Sequence, residues 1–153
     1  MIRRWMYALA ALALLALVPA LAEKVDMGPD QLRESATHVV TGTVRAIYGR
    51  QVKDDKWLTT HRVAEVVIGE LEKGEGLEKG GLVYARYWTR EWTGGGMVPP
   101  STNGHRGVPA EGQTLRFYLA RNAYDGFSQD NQDGGFNVIG ANGFEALPAA
   151  GGK

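Results

Sequence analysis

The chain contains no cysteine. A disulfide framework, a thiolate metal site and a lipid-bearing cysteine are therefore all excluded, and an exported domain built this way fits a bacterial periplasm or exterior better than the disulfide-stapled small domains of animals. It also has no excess of charge of one sign. Seventeen Lys and Arg balance 17 Asp and Glu without runs, which removes the electrostatic case for nucleic acid or anionic lipid as partner. Only one long hydrophobic run is present. Residues 8–18 form an apolar stretch of about eleven residues, short of the roughly twenty that cross a bilayer. Neither glycine cluster has the form of a phosphate-binding loop.

What is there begins with an address. Arg3 and Arg4 precede the apolar stretch, and Ala20 and Ala22 follow it as small residues suited to signal peptidase, which is the order of a secretory signal. The sequence thus divides into a signal peptide over 1–22, one domain over 23–147 and a frayed tail over 148–153. No membrane span remains after cleavage, and the expected location is periplasmic or secreted. Two arginines alone do not make a twin-arginine signal.

Within the domain, Pro29 and Asp30 open a short helix over 30–36. Residues 39–48 are rich in β-branched side chains and form a first strand, with Gly42 marking a bulge or bend. After a polar turn at 51–55, residues 57–68 form a second strand that pairs with the first as a hairpin. Its inward face stays undecided, because both alternating sets mix polar and apolar residues. Residues 69–81 are charged and glycine-punctuated, as a connection is. Residues 82–88 make a third strand, 114–120 a fourth with Leu115, Phe117 and Leu119 on one face, and 136–139 a short fifth. Between them, 89–112 carries Gly94, Gly95, Gly96, Pro99, Pro100, Gly104, Gly107 and Pro109. A loop of that length is usually functional. Five strands without crossover helices imply an all-β fold, a five-stranded antiparallel barrel of OB type with one short N-terminal helix.

The run Ala36-x-x-Val39-Val40-x-Gly42-x-Val44, the strand ending Val63-x-Glu65-Val66, Gly80 before a strand, and Gly112-x-x-Leu115-x-Phe117-x-Leu119 together resemble exported bacterial domains with the OB-type barrel of tissue inhibitors of metalloproteinases and netrin-like modules. The resemblance spans about residues 30–140 and implies the fold. It does not carry the inhibitors' activity, because they chelate zinc through an N-terminal cysteine, whereas the expected mature N-terminus here is Glu23.

Candidate chemistry is sparse. His38, His61 and His105 have no metal-ligand spacing, and no metal or other cofactor is expected. The oxygen-rich stretch 129–134 has a calcium-loop rhythm but lacks the first acid and the closing glutamate, so turn geometry is the favoured account of it. Ser35, Ser101 and Ser128 sit in no nucleophile elbow. The remaining feature is aromatic: Tyr84, Tyr87, Trp88 and Trp92 cluster with Arg86, Arg90 and Arg106, and aromatics with arginines are the side chains that dominate binding surfaces. Packing inside the barrel explains Tyr84 and Tyr87 as well. The expected role is thus a non-enzymatic binding module for an unknown protein or envelope ligand, acting through the 89–112 loop with Trp88, Arg90, Trp92, His105 and Arg106. The competing readings are an exported hydrolase or metal-dependent enzyme in which His105 converges with Glu91 and Glu111, and a structural envelope protein.

Overall fold

The structure is a computed structural model that describes residues 25–98, 104–121 and 135–147. The signal over 1–22, the tail over 148–153, Ser101, Ser128 and the 129–134 stretch lie outside the described residues. Helix α1 (Pro29–Ser35) is followed by strands β1 (His38–Asp54), β2 (Trp57–Lys73), β3 (Leu82–Trp92), β4 (Thr114–Arg121), β5 (Phe136–Val138) and β6 (Phe144–Ala146). No helix among the described residues is long and apolar enough to cross a membrane.

The expected class holds: the fold is mainly β, with one short helix and a ring-like sheet of five strands. The ring closes because β1 is hydrogen-bonded on both sides. It pairs β2 along its length and β4 from His38↔Leu119 to Thr43↔Thr114, while β3, β5 and β4 complete the circuit. One pairing departs from the all-antiparallel expectation: β3 and β5 run parallel at Ala85↔Phe136 and Arg86↔Asn137. Strand β6, which the sequence reading missed, adds to β4 at Phe117↔Phe144. Three residues with one large apolar side chain leave too little pattern to read.

Closure requires β1 to bend, and its register with β2 slips between Val39/Val40, Thr41/Gly42 and Val44/Ala46. The expected irregularity at Gly42 is therefore real, and its cause is crowding. A Cβ there would stand 2.5 Å from Val66 Cγ1 and 2.6 Å from the Val67 carbonyl oxygen. Inside the ring, Val40, Val44, Ala64, Val66, Ile68, Val83, Ala85, Tyr87, Leu115, Phe117, Leu119, Phe136 and Val138 form the main core. This settles the ambiguous β2 face: Ala64, Val66 and Ile68 point inward, and Val63 and Val67 outward. No extra residue interrupts 57–68 itself: the slip opposite it leaves Arg45 of β1 without a β2 partner, and the other two leave Gly69 and Glu72 of β2 without a β1 partner.

Helix α1 seals one side of the ring. Pro29 supplies its first-turn geometry, and Asp30 and Arg33 sit at the ends where the helix dipole favours them. Its buried Leu32 packs with Ala36, Val39 and Tyr118 in a second cluster. Polar side chains tie the same side together. Glu72 accepts hydrogen bonds from Thr41 Oγ1 at 2.8 Å, Arg116 Nε at 2.7 Å and Arg33 at 3.1 Å, and Arg116 also reaches Glu145 at 3.1 Å. Partial burial opposes ionisation of Glu72, but these donors outweigh it and hold its carboxyl below the ordinary 4.5. Stability from this cluster is thus present above that value and is lost as pH falls through the lowered one.

Gly42→Val is expected to destabilise the fold by about 2 kcal/mol, the scale of overpacking in a tight core. Urea denaturation followed by tryptophan fluorescence would measure it.

Candidate functional site

Strands β1, β2 and β3 outrun the ring. Past Ala64 the three continue as an arm that ends at the hairpin Asp54↔Trp57, where Asp55 takes a positive φ of 29°, and at the pair Trp57↔Trp92. The expected loop therefore begins later than Thr89, because Thr89, Arg90, Glu91 and Trp92 complete β3 by pairing with β2. The glycine run that suggested a loop starts only at Gly94. Likewise, the predicted turn at 51–55 is mostly strand, and β2 runs on to Lys73 through residues that looked like a connection.

Alternation decides what the arm displays. Since Ala64, Val66, Val83, Ala85 and Tyr87 face the core, the opposite face carries the cross-strand pairs Trp57·Trp92, Thr59·Arg90 and His61·Trp88. Three of the five expected site residues, Trp88, Arg90 and Trp92, thus come together on one outward face, joined by Trp57. The Arg90 guanidinium carbon stands 5.3 Å from the Trp57 ring and 5.8 Å from the Trp88 ring, and its Nε donates to Thr59 Oγ1 at 3.3 Å. Trp57 and Trp92 meet edge to face at 5.0 Å, and Lys56 Nζ lies 5.9 Å from the Trp92 ring. Such contacts hold a cation on an aromatic face at about 0.5–1 kcal/mol each where exposed. Among the described residues Arg90 has no carboxylate partner. The same face continues to Arg86 and Tyr84, which with Val63, Leu82, Arg121 and Phe136 line a cavity of about 410 Å³.

His105 and Arg106 belong elsewhere. His105 is 3% exposed, so it is no surface contact for a ligand. Its Nε2 lies 2.9 Å from the Val138 carbonyl oxygen and its Nδ1 3.2 Å from the Trp88 amide nitrogen. Nδ1 also lies 3.1 Å from the Trp88 carbonyl oxygen; with the ring protonated on Nε2 it donates to Val138 and accepts from the Trp88 amide, while the Trp88 carbonyl takes the His105 amide. With the Thr89↔Gly104 bridge and the bond from the His105 amide to the Trp88 carbonyl, the imidazole stitches β3 to β5 where the two strands diverge. Gly104 must be glycine here, since it has φ of 84° and a Cβ would strike the Trp88 carbonyl oxygen and ring. Arg106 pairs with Asp26 and donates its amide to the Ala141 carbonyl, apart from the ladder. The convergence of His105 with Glu91 and Glu111 that an enzyme reading requires is not formed: Glu111 Oε1 accepts the Ile47 amide at 3.0 Å, and the His105 ring nitrogens face main chain.

Of the other histidines, His38 is an ordinary bonded imidazole, with Nδ1 2.9 Å from Thr37 Oγ1 and Nε2 3.0 Å from the Glu75 carbonyl oxygen. Among the described residues no three His, Asp or Glu side chains gather as a metal site. Tyr87 carries a hydroxyl into the apolar core. It is fully buried between the His105 and Phe144 rings, and its hydroxyl has no hydrogen-bond partner among the described residues. Burial pushes the phenol up from 10.0 to about 12, against a smaller opposing effect of Arg62. Trp57, the residue the sequence reading left out of the site, was legible only through its register with Trp92.

Compared with protein-family models, curated proteins and solved structures, the chain matches none.

Two outcomes follow for stability. His105→Ala is expected to cost about 2 kcal/mol, because it strands the Val138 carbonyl and opens the seam; a histidine that served only to touch a ligand would cost almost nothing in the same denaturation experiment. Between about pH 10 and 12 the unfolded chain loses the Tyr87 proton while the folded chain keeps it, so stability falls as pH rises through that window. Tyr87→Phe removes this part of the alkaline decline and, by deleting an unpaired buried hydroxyl, leaves the fold at neutral pH as stable or more so.

Proposed function

We propose that the chain is an exported, non-enzymatic binding module that takes an anionic group of a protein or envelope component on the outward face of its arm. The single observation that supports this most directly is Arg90: a guanidinium fixed between two tryptophan rings and a threonine hydroxyl, without a carboxylate partner among the described residues. A charge held this way has already lost much of its rotamer freedom, so binding an anion there costs little further ordering. The flanking tryptophans supply broad apolar area around it, the composition of an interaction hot spot. Export rests on the order of residues in 1–22, and the zinc chelation of the tissue inhibitors of metalloproteinases that the sequence resembles is no part of the reading.

The test is capture from envelope extract by immobilised protein, comparing wild type with Arg90→Gln and Trp92→Ala, each checked for unchanged thermal unfolding. A partner retained by the wild type and weakened about tenfold in both variants, the loss of a modest hot spot, supports the reading, and its capture should fall further with added salt. Equal retention by all three proteins overturns it.

A further inference from the structure

The arm has a second surface, its edge. Strand β4 leaves β1 after Thr43↔Thr114, and the segment before β4 covers β1 only a little further, where Val44 bonds Gly112 and Gln113 and the Ile47 amide is taken by Glu111. Among the described residues, Tyr48 to Asp54 of β1 pair with β2 alone. The direction of each peptide group on that stretch follows from the hairpin. A two-residue turn closes on the pair Asp54↔Trp57, which exchanges both of its hydrogen bonds, and antiparallel ladders alternate from there. Val52, Arg50 and Tyr48 therefore bond to β2, whereas the N–H and C=O groups of Lys53, Gln51, Gly49 and Ile47 point the other way. The bond from the Ile47 amide to Glu111 lies on that outer side and fixes the phase independently.

Protein edges of this kind are normally blunted by proline, by a bulge, by brevity or by charge, and of these the present edge has only charge, at Arg50, Lys53 and Asp54. This one has no proline over 48–54, and its register slips all lie before Ala46. Its side chains are also specific. On the face shared with the tryptophan ladder, Tyr48 is 57% and Val52 42% exposed, and between them stands the exposed Arg50, with no ion pair among the described residues.

We infer that this edge accepts an extended polypeptide segment as an added antiparallel strand, with main chain bonded to Gly49, Gln51 and Lys53, an acidic side chain beside Arg50, and apolar side chains two residues to either side against Tyr48 and Val52. In strand addition the main-chain bonds supply affinity and the alternating side chains select the sequence. A segment of pattern apolar-x-acidic-x-apolar fits the three positions in order. The main-chain groups of this edge lie on the far side of β1 from β2 and β3, so strand addition and anion binding at Arg90 can fail independently.

The experiment is a titration of the nitrogen-15-labelled chain with the capped peptide Thr-Val-Thr-Glu-Thr-Val-Thr, read by amide shifts and hydrogen exchange. The Gly49, Gln51 and Lys53 amides should shift and their exchange should slow at least about tenfold. Gln51→Pro removes one outward N–H and leaves the β2 bonds intact, as proline at a solvent-facing edge position does, and should abolish the response while thermal unfolding is unchanged. Arg50→Glu, on an exposed side chain with no fold role, should weaken binding about fivefold, the scale of one exposed ion pair. The inference is overturned if those amides do not respond, if they are already protected in the free chain by its own residues or by a second copy, or if Gln51→Pro and Arg50→Glu both bind as the wild type does.

Discussion

Everything in this fold depends on β1 being hydrogen-bonded on both sides over its first few residues and on one side thereafter. Where β2 and β4 both hold it, the sheet closes and hides its edges around the Val40, Val66 and Phe117 core. Where β4 departs, the same strand becomes the margin of an arm. A single strand can serve both parts only if it bends, and Gly42, pressed against Val66 and the Val67 carbonyl, is the residue that permits the approach. The Glu72 and Arg116 cluster then ties α1, β1, β2, β4 and β6 outside the same closure.

The arm cannot rely on that core. A three-stranded ribbon packed on one side at most is weakly stabilised by its main chain alone, and the cross-strand pairs of Trp57, Thr59, Trp88, Arg90 and Trp92 are what hold β2 to β3 beyond the ring. Under the binding role proposed above, the ladder has two duties that do not compete. Stacking that keeps the arm in one shape also keeps Arg90 in one place, and a guanidinium offered by a rigid strand binds with less ordering than one on a loop. His105 contributes from beneath by anchoring the Trp88 main chain to β5.

The strands of the ring were legible because each carries β-branched or alternating apolar residues, and Leu115, Phe117 and Leu119 were placed on the correct face from alternation alone. The arm was not. Residues 51–54 and 89–92 read as turn and loop because they are polar or aromatic without inward apolar partners, and only their pairing with β2 makes them strands. The inward face of β2 was undecidable for the same reason: Val63 and Val67 are as apolar as Ala64 and Val66, and the choice is made by the register of β2 against β1 and β3. In the candidate site, the clustering of Trp88, Arg90 and Trp92 could be read from composition. His105 was mistaken for a surface group because its loop is rich in breakers, yet that loop returns to β3 and buries the ring.

The ring's seam also bears on the order in which the chain can fold. Strands β1, β2 and β3 are joined by short connections and form a meander whose contacts are nearly local, while Thr37 must find Leu119 across 82 residues of sequence. Loop-closure entropy is spent before such a distant contact returns anything. The meander, arm included, is thus the part able to form early, and docking of β4 against β1 is the slow event that completes the domain. During that interval the whole of β1 stands as an open edge, and afterwards only Tyr48 to Asp54 does.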